Sequence, residues 1–306
     1  MWNASTSTTP SPAASTNPDA YFPALATTLN NLGSLHQDVG QHDRAETYYA
    51  EALTINRNLA DTNKDAYLPD LASSLNNLGT FHRELRQYEQ ARICHTEAIS
   101  IRRALSDTNP DAYLPDLAGT LSMIGSLYVQ ITQLAQAESC YTEALAISRD
   151  LAKANPEMYL SDVARDLSNV GVMYTERRLW RLAEVFLTES MSILRRFAST
   201  TPDAALPGLA AITCMLGGLY IHLGDFNKAE AYYTESVAIG RKLPSSFSSM
   251  TTRDLITHTN ADPDMRPTEV LPYALRQLAD LYRLTGRKIE AQQLRSEAAR
   301  ISKPIR

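Results

Sequence analysis

The sequence predicts an all-α chain built from stacked helix pairs. Three observations carry that prediction: a phrase that recurs every 46 residues, apolar stripes at helical spacing within each recurrence, and small residues that return at the same two places. The phrase opens at Asn17, Asn63, Asn109, Asn155 and Thr201 as NPDAYFPALA, NKDAYLPDLA, NPDAYLPDLA, NPEMYLSDVA and TPDAALPGLA. A fixed period of this length marks a repeat architecture, so residues 17–243 read as five units. A sixth, worn unit follows at 269–306, where Leu271 stands 62 residues after its counterpart Leu209. The extra stretch, 244–268, is polar and rich in Ser, Thr and Pro, the composition of a loop insertion.

Each unit reads as two helices. In the second unit Leu71, Leu75, Leu78 and His82 fall at i, i+4, i+7 and i+11, one stripe of an α-helix. Asp65 is placed to cap its start, and Pro69 is expected in the first turn, where a missing N–H is tolerated. The pattern stops near Arg86-Gln87, and a second stripe runs through Tyr88, Ala91, His95, Ala98, Ile99 and Leu105. Both helices should be roughly 17 residues long, and neither can bury its stripe alone, so neighbouring units must stack. Gly33, Gly79, Gly125, Gly171 and Gly217 recur mid-helix, where Gly costs about 0.5–1 kcal/mol relative to Ala. A penalty accepted five times predicts close helix approach at that place. Ala45, Ala91, Ala137, Ala183, Ala229 and Ala291 make the same case on the second helix.

Composition bounds the function. The chain has 306 residues, 44% hydrophobic, enough for a sizeable core, and its net charge of -5 offers no general attraction to nucleic acid or an acidic membrane. Three cysteines argue against a disulfide framework and for a reducing compartment. No apolar run is expected to reach the ~18 residues that span a bilayer. The first 16 residues lack the basic start and apolar core of a secretory leader and read as a disordered Ser/Thr-rich tail. A cytoplasmic protein is the expectation.

The spaced residues Leu75, Gly79, His82, Ala91, His95 and Ala98 resemble the tetratricopeptide repeat (TPR) family. The longer period, with SLNNLGTFHRELRQYEQARICHTEAISIRR, is similar to the kinesin light chain subgroup. The resemblance spans about residues 17–243 and 269–302. It implies a right-handed α-solenoid of about six helix-turn-helix repeats, whose first helices line a concave groove for a peptide or protein segment. In the kinesin light chain relatives, Asn at the place of Asn30 and Asn76 holds an extended peptide's backbone.

The repeat also serves as an internal control on reactive-looking residues. His36 and His82 align with Tyr128, Tyr174, Tyr220 and Tyr282; His95 aligns with Tyr49, Tyr141 and Tyr233; His42 aligns with Tyr88, Trp180 and Phe226. All four histidines, and Trp180, therefore read as packing residues. No HExxH, CxxC, phosphate loop or nucleophile–base pair is present, so no catalytic residue, metal or cofactor is expected. The arginine pairs at Arg102-Arg103, Arg177-Arg178 and Arg195-Arg196 read as solvated faces beside Glu97, Glu176 and Glu189.

Taking Leu71 as the origin at about 100° per residue, Asn76, Thr80 and Arg83 lie on the face opposite the packing stripe. Truncation there should therefore cost little stability. Across units this face nominates Asn30, Asn76, Thr80, Arg83, Ser122, Ser126, Val129, Ser168, Val172 and Ile221 as a peptide-binding groove, polar at first and increasingly apolar. The same residues also suit a plain solvated face. The expected function is a non-catalytic scaffold for a protein or peptide partner, with no nucleic acid and no membrane. The alternative is a sensor module regulating an enzyme on another chain. The chain should be a monomer, or a weak homodimer through Leu294, Ala298 and Ile301 of the last helix.

Overall fold

The computed structural model describes residues 18–243 and 267–302. The tail at 1–16 and residues 244–266 of the insertion lie outside the described residues. Among the described residues twelve helices follow one another: α1 Pro18–Asp38, α2 His42–Thr62, α3 Lys64–Glu84, α4 Tyr88–Thr108, α5 Pro110–Gln130, α6 Leu134–Ala154, α7 Pro156–Glu176, α8 Trp180–Thr200, α9 Pro202–His222, α10 Phe226–Gly240, α11 Pro267–Leu284 and α12 Lys288–Ile301. There is no strand among the described residues. The chain divides into two compact units, Met1–Leu127 and Tyr128–Arg306, the division falling within α5.

Most helices run 21 residues, longer than the stripes alone predict, because the second helix of a pair runs up to the Asn or Thr of the repeated phrase and the next first helix starts directly after it. Asn63 caps α3: its Oδ1 accepts the backbone N–H of Ala66 at 3.2 Å, and Asn109 and Asn155 repeat the contact with Ala112 and Met158. Asp65 is therefore not the cap; it lies within the first turn. Pro69 sits in the second turn, where its missing N–H leaves the carbonyl of Asp65 without a helical partner. The turn between paired helices is the same every time. A left-handed residue stands at Gly40, Arg86, Thr132, Arg178, Gly224 and Gly286. The following amide then bonds back to the first helix, as Gln41 does to the carbonyl of His36 at 2.8 Å.

Packing is consecutive in each unit. In the first, α1 packs on α2, α2 on α3 and α3 on α4; in the second, the contacts run from α6 through α12. The predicted stripes are buried: Leu71, Leu75, Leu78 and His82 on α3, and Ala91, His95, Ala98, Ile99 and Leu105 on α4. The recurrent glycines lie under a ring or branch of their own partner helix. A Cβ at Gly33 would meet Tyr49, at Gly79 His95, at Gly171 Leu187 and at Gly217 Tyr233, each within 2.9 Å. Close approach was the expectation, and these side chains enforce it.

α9 departs from the composition reading. It is long and apolar enough by composition to cross a membrane, with a mean hydropathy of 1.7 over its best window, yet 72% of that window is buried. A helix contacted by α8 on one side and α10 and α11 on the other is apolar nearly all round, which reads as a core helix. The surface is tied by a repeated clasp between successive second helices: Arg149 with Glu189, Arg195 with Glu235 and Arg241 with Glu297, at 2.7–2.8 Å. Arg57 and Glu97 repeat it in the first unit at 2.7 Å. Exposed pairs of this kind contribute about 0–1 kcal/mol each. They occupy Arg195; Arg102 is buried and donates to Thr120, so the expectation of a solvated face is wrong for Arg102.

Candidate functional site

The groove residues of the first unit are mostly used inside the stack. Asn76 is only 8% exposed; its Oδ1 pairs with Nδ1 of His95 at 3.2 Å and its Nδ2 points to Met123 Sδ at 3.1 Å. Burial pushes His95 down to about 3, so the ring is neutral, and Asn76 Oδ1 accepts its Nδ1–H. Thr80 also reaches Met123, Asn30 donates to Ser74 Oγ at 2.8 Å, and Arg83 donates to Ser126 Oγ at 3.3 Å. Ser122 and Ser126 are buried. The expectation of a solvated face opposite the packing stripe is thus wrong for Asn76, Ser122 and Ser126. The angle was measured against one partner helix, whereas α3 is packed by α4 and by α2 of the preceding pair.

The second unit treats the same positions differently. Val129 and Val172 are buried, and Ser168 is fully engaged, donating to the carbonyl of Ala164 at 2.8 Å and meeting Ser190 Oγ at 2.8 Å. Ile221 is half-buried. Here, however, a pocket of about 170 Å³ opens among the first helices. Val172, Thr175 and Glu176 of α7 form one wall, Met215, Gly218, Ile221 and His222 of α9 another, and Val270, Tyr273 and Gln277 of α11 a third. Val172 and Ile221 are therefore brought together, whereas Asn30, Asn76, Thr80, Arg83, Ser122 and Ser126 belong to the other unit.

The pocket exists because Gly218 has no side chain there. A Cβ at Gly218 would meet only Tyr233 Oη within 4 Å, at 3.4 Å, an ordinary contact. At the same repeat position Thr80 and Ser126 carry hydroxyls that bond across the face. Cys214 lies buried at the base, its thiol pushed up to about 12 by burial and unsuited to nucleophilic work. Burial likewise raises Tyr273 and Tyr233. His222 does not enter an acid–base pair; its ring stacks on Trp180 at 4.3 Å and 5°. Among the described residues no group of three or more His, Cys, Asp or Glu could hold a metal.

Glu176 and Gln277 were not nominated from the sequence. Glu176 has no hydrogen-bond or ion-pair partner among the described residues, and burial alone raises its carboxyl above the usual carboxylate range. The repeat alignment carried a signal for it. Its counterpart Glu84 accepts a bond from Gln37, and the place of Gln37 is taken one pair before Glu176 by Val129, which has no donor.

Helix pairs of fixed period, stacked through a glycine-and-ring contact and opening a pocket between first helices, define a helical-repeat protein. The tetratricopeptide repeat family profile matches residues 24–104, 70–150 and 210–240, and the chain belongs to that family. Solved structures share the fold. BtubC (BKLC) from P. vanneervenii is 19% identical with a TM-score of 0.64, covering 87% of this chain and 95% of its own. A putative kinesin light chain from Podospora anserina, with nearly identical TPR-like repeats, is 16% identical with a TM-score of 0.52, covering 75% and 93%. A signal transduction ATPase with numerous domains from Pyrococcus horikoshii, carrying a tetratricopeptide repeat sensor, is 13% identical with a TM-score of 0.65; the match covers 93% of this chain and 38% of the ATPase. No curated protein matches the sequence.

Proposed function

We propose that this chain is a non-catalytic scaffold that holds a peptide or protein segment of a partner against the face formed by α7, α9 and α11. One observation carries the reading: three first helices leave an apolar pocket between them, lined by Val172, Met215, Ile221 and Val270 with polar groups at its edge. A few apolar contacts with convergent polar groups are what a side-chain anchor needs. Asn30 and Asn76, nominated from sequence as backbone-holding amides, already make contacts within the stack, Asn30 donating to Ser74 and Asn76 accepting from His95. We take the compartment to be the cytoplasm, since three cysteines are too few and odd in number for a disulfide framework.

Gly218→Leu tests this. Its Cβ is accommodated, so folding should stay within about 0.5 kcal/mol, while the leucine fills the pocket. Affinity capture from the native host, analysed by mass spectrometry, should lose its principal partner with this variant. Unchanged capture sinks the reading. The likeness to the repeat sensor of a multidomain ATPase favours a second reading, a regulatory module acting on a partner enzyme. In that case the captured partner is an enzyme whose rate changes when the chain is added; an unchanged rate leaves the scaffold.

A further inference from the structure

The pocket is electrically lopsided. Glu176 stands at its α7 wall: the neighbouring Arg177 is held by Glu138, Arg276 acts on Tyr273 across the pocket, and among the described residues no charged side chain shifts the Glu176 carboxyl. The rest of the pocket lining is apolar or neutral, with Val172, Met215, Ile221 and Tyr273, and its polar members include Thr175, His222 and Gln277. Thr175 is already turned inward onto the carbonyl of Gly171 at 3.0 Å, and His222 onto Trp180. A carboxylate half-removed from water beside an apolar hole is unfavourable unless something charged meets it. In the first unit the equivalent Glu84 is met by Gln37, so there the fold supplies the partner itself.

Resting on the scaffold reading, we propose that this pocket selects partner segments in which an aliphatic side chain lies within two or three residues of a Lys or Arg. The aliphatic group enters the space left by Gly218, and the cation pairs with Glu176 at the α7 wall. Charge complementarity sets the occupant: an acidic segment would bring like charge to Glu176, and a purely apolar one would leave it unmatched. Gln277, whose side-chain carbonyl and NH2 make no hydrogen bond among the described residues, lines the same pocket and could meet the backbone between the two anchors.

The test is a positional-scanning array of immobilised nine-residue peptides probed with the whole chain, Glu176→Gln, Glu176→Lys and Gly218→Leu. The wild type should enrich Leu, Ile or Met with Lys or Arg two or three positions away. For the best peptide in solution, Glu176→Gln should lose roughly ten- to a hundredfold in affinity, the scale of one charge-assisted contact. It should keep the aliphatic preference while losing the basic one, and Glu176→Lys should shift the preference to Asp or Glu. An aliphatic preference without a basic one, or an unchanged profile in Glu176→Gln, overturns the charge assignment and leaves the scaffold reading standing. An array that Gly218→Leu does not alter, or one with no enrichment at all, overturns both. Self-association abolished by Glu176→Gln would assign the pocket to a second copy and overturn the peptide.

Discussion

In the N-terminal unit Asn76 reaches His95 and Met123, whereas its counterpart in the C-terminal unit, Cys214, is drawn back onto Ser236 and a pocket opens beside it. The backbone positions are equivalent, separated by whole repeats. Side chains long enough to cross to the next helix close the inner face of the first unit; a glycine and a thiol leave it open in the second. The joints between pairs change in the same direction. Asn56 donates to Ser74 Oγ at 2.8 Å, Arg102 donates to Thr120 and to the carbonyl of Asp116, and Ser148 donates to Asp166 Oδ2 at 2.5 Å. The fourth joint holds buried Leu194 and Ile212 at those two places. A repeat fold thus fixes where helices meet while leaving open whether a given meeting is polar, apolar or vacant.

The sharpest way to break this comparison is at two adjacent glycines. Gly217 faces its partner helix, and a Cβ there would stand 2.6 Å from Tyr233 Cδ1, whereas Gly218 faces the pocket. Gly217→Leu should destabilise by roughly 3 kcal/mol in denaturant unfolding, the upper range of overpacking, against little change for Gly218→Leu. Equal costs would mean that the pocket side is as packed as the core side.

Acid should find the first unit. The folded His95 titrates at about 3 against an ordinary 6.5, so the unfolded chain binds a proton that the folded chain refuses between those values. Stability is therefore present above pH 6.5 and lost as pH falls through that window, on the order of 2–3 kcal/mol by pH 4.5. His95→Tyr, which installs the residue of the sister units, should flatten the pH dependence of unfolding; a slope as steep as wild type would place the acid sensitivity elsewhere.

Asn76→Ala separates a supporting amide from a free one. Removing it leaves the His95 Nδ1–H buried and unsatisfied, since His95 Nε2 already has no partner, and should cost about 1–2 kcal/mol of thermal stability. A loss under about 0.5 kcal/mol, the usual figure for a surface change, would restore Asn76 to the solvated face.

The smallest effect is expected where a polar joint is rewritten as an apolar one. Arg102→Leu with Thr120→Ile copies the fourth joint into the second, and because both partners leave together the double variant should lie within about 1 kcal/mol of wild type. Arg102→Leu alone should be the more destabilised chain, with Thr120 Oγ1 left short of a donor while it still donates to the Asp116 carbonyl. If the single and double variants melt together, the joint carries no coupling.

Much of this was legible in the residues. The period named the helix pairs, the stripes named the buried faces, and Gly33, Gly79, Gly171 and Gly217 named the places of closest approach, now seen beneath Tyr49, His95, Leu187 and Tyr233. Of the four histidines read as packing by alignment, His95 and His82 are buried and His36 turns onto Gln41, but His42 is exposed beside Phe81. The last helix was read less well. Ala298 is buried in the core of its own unit, so only Leu294 and Ile301 of the three proposed dimer residues retain any exposure.

What the sequence by itself determined is the repeat, because its signal is local and periodic: a stripe at 3.6 residues and a small residue every 46 are visible without knowing any neighbour. What only the tertiary structure decided is which inner-face residues remain available. That depends on whether a side chain of given length reaches a donor or acceptor on a helix one pair away, a distance that no helical wheel contains. Glu84 and Glu176 show it most plainly: the same residue at the same repeat position is satisfied by Gln37 in one unit and left facing an apolar pocket in the other.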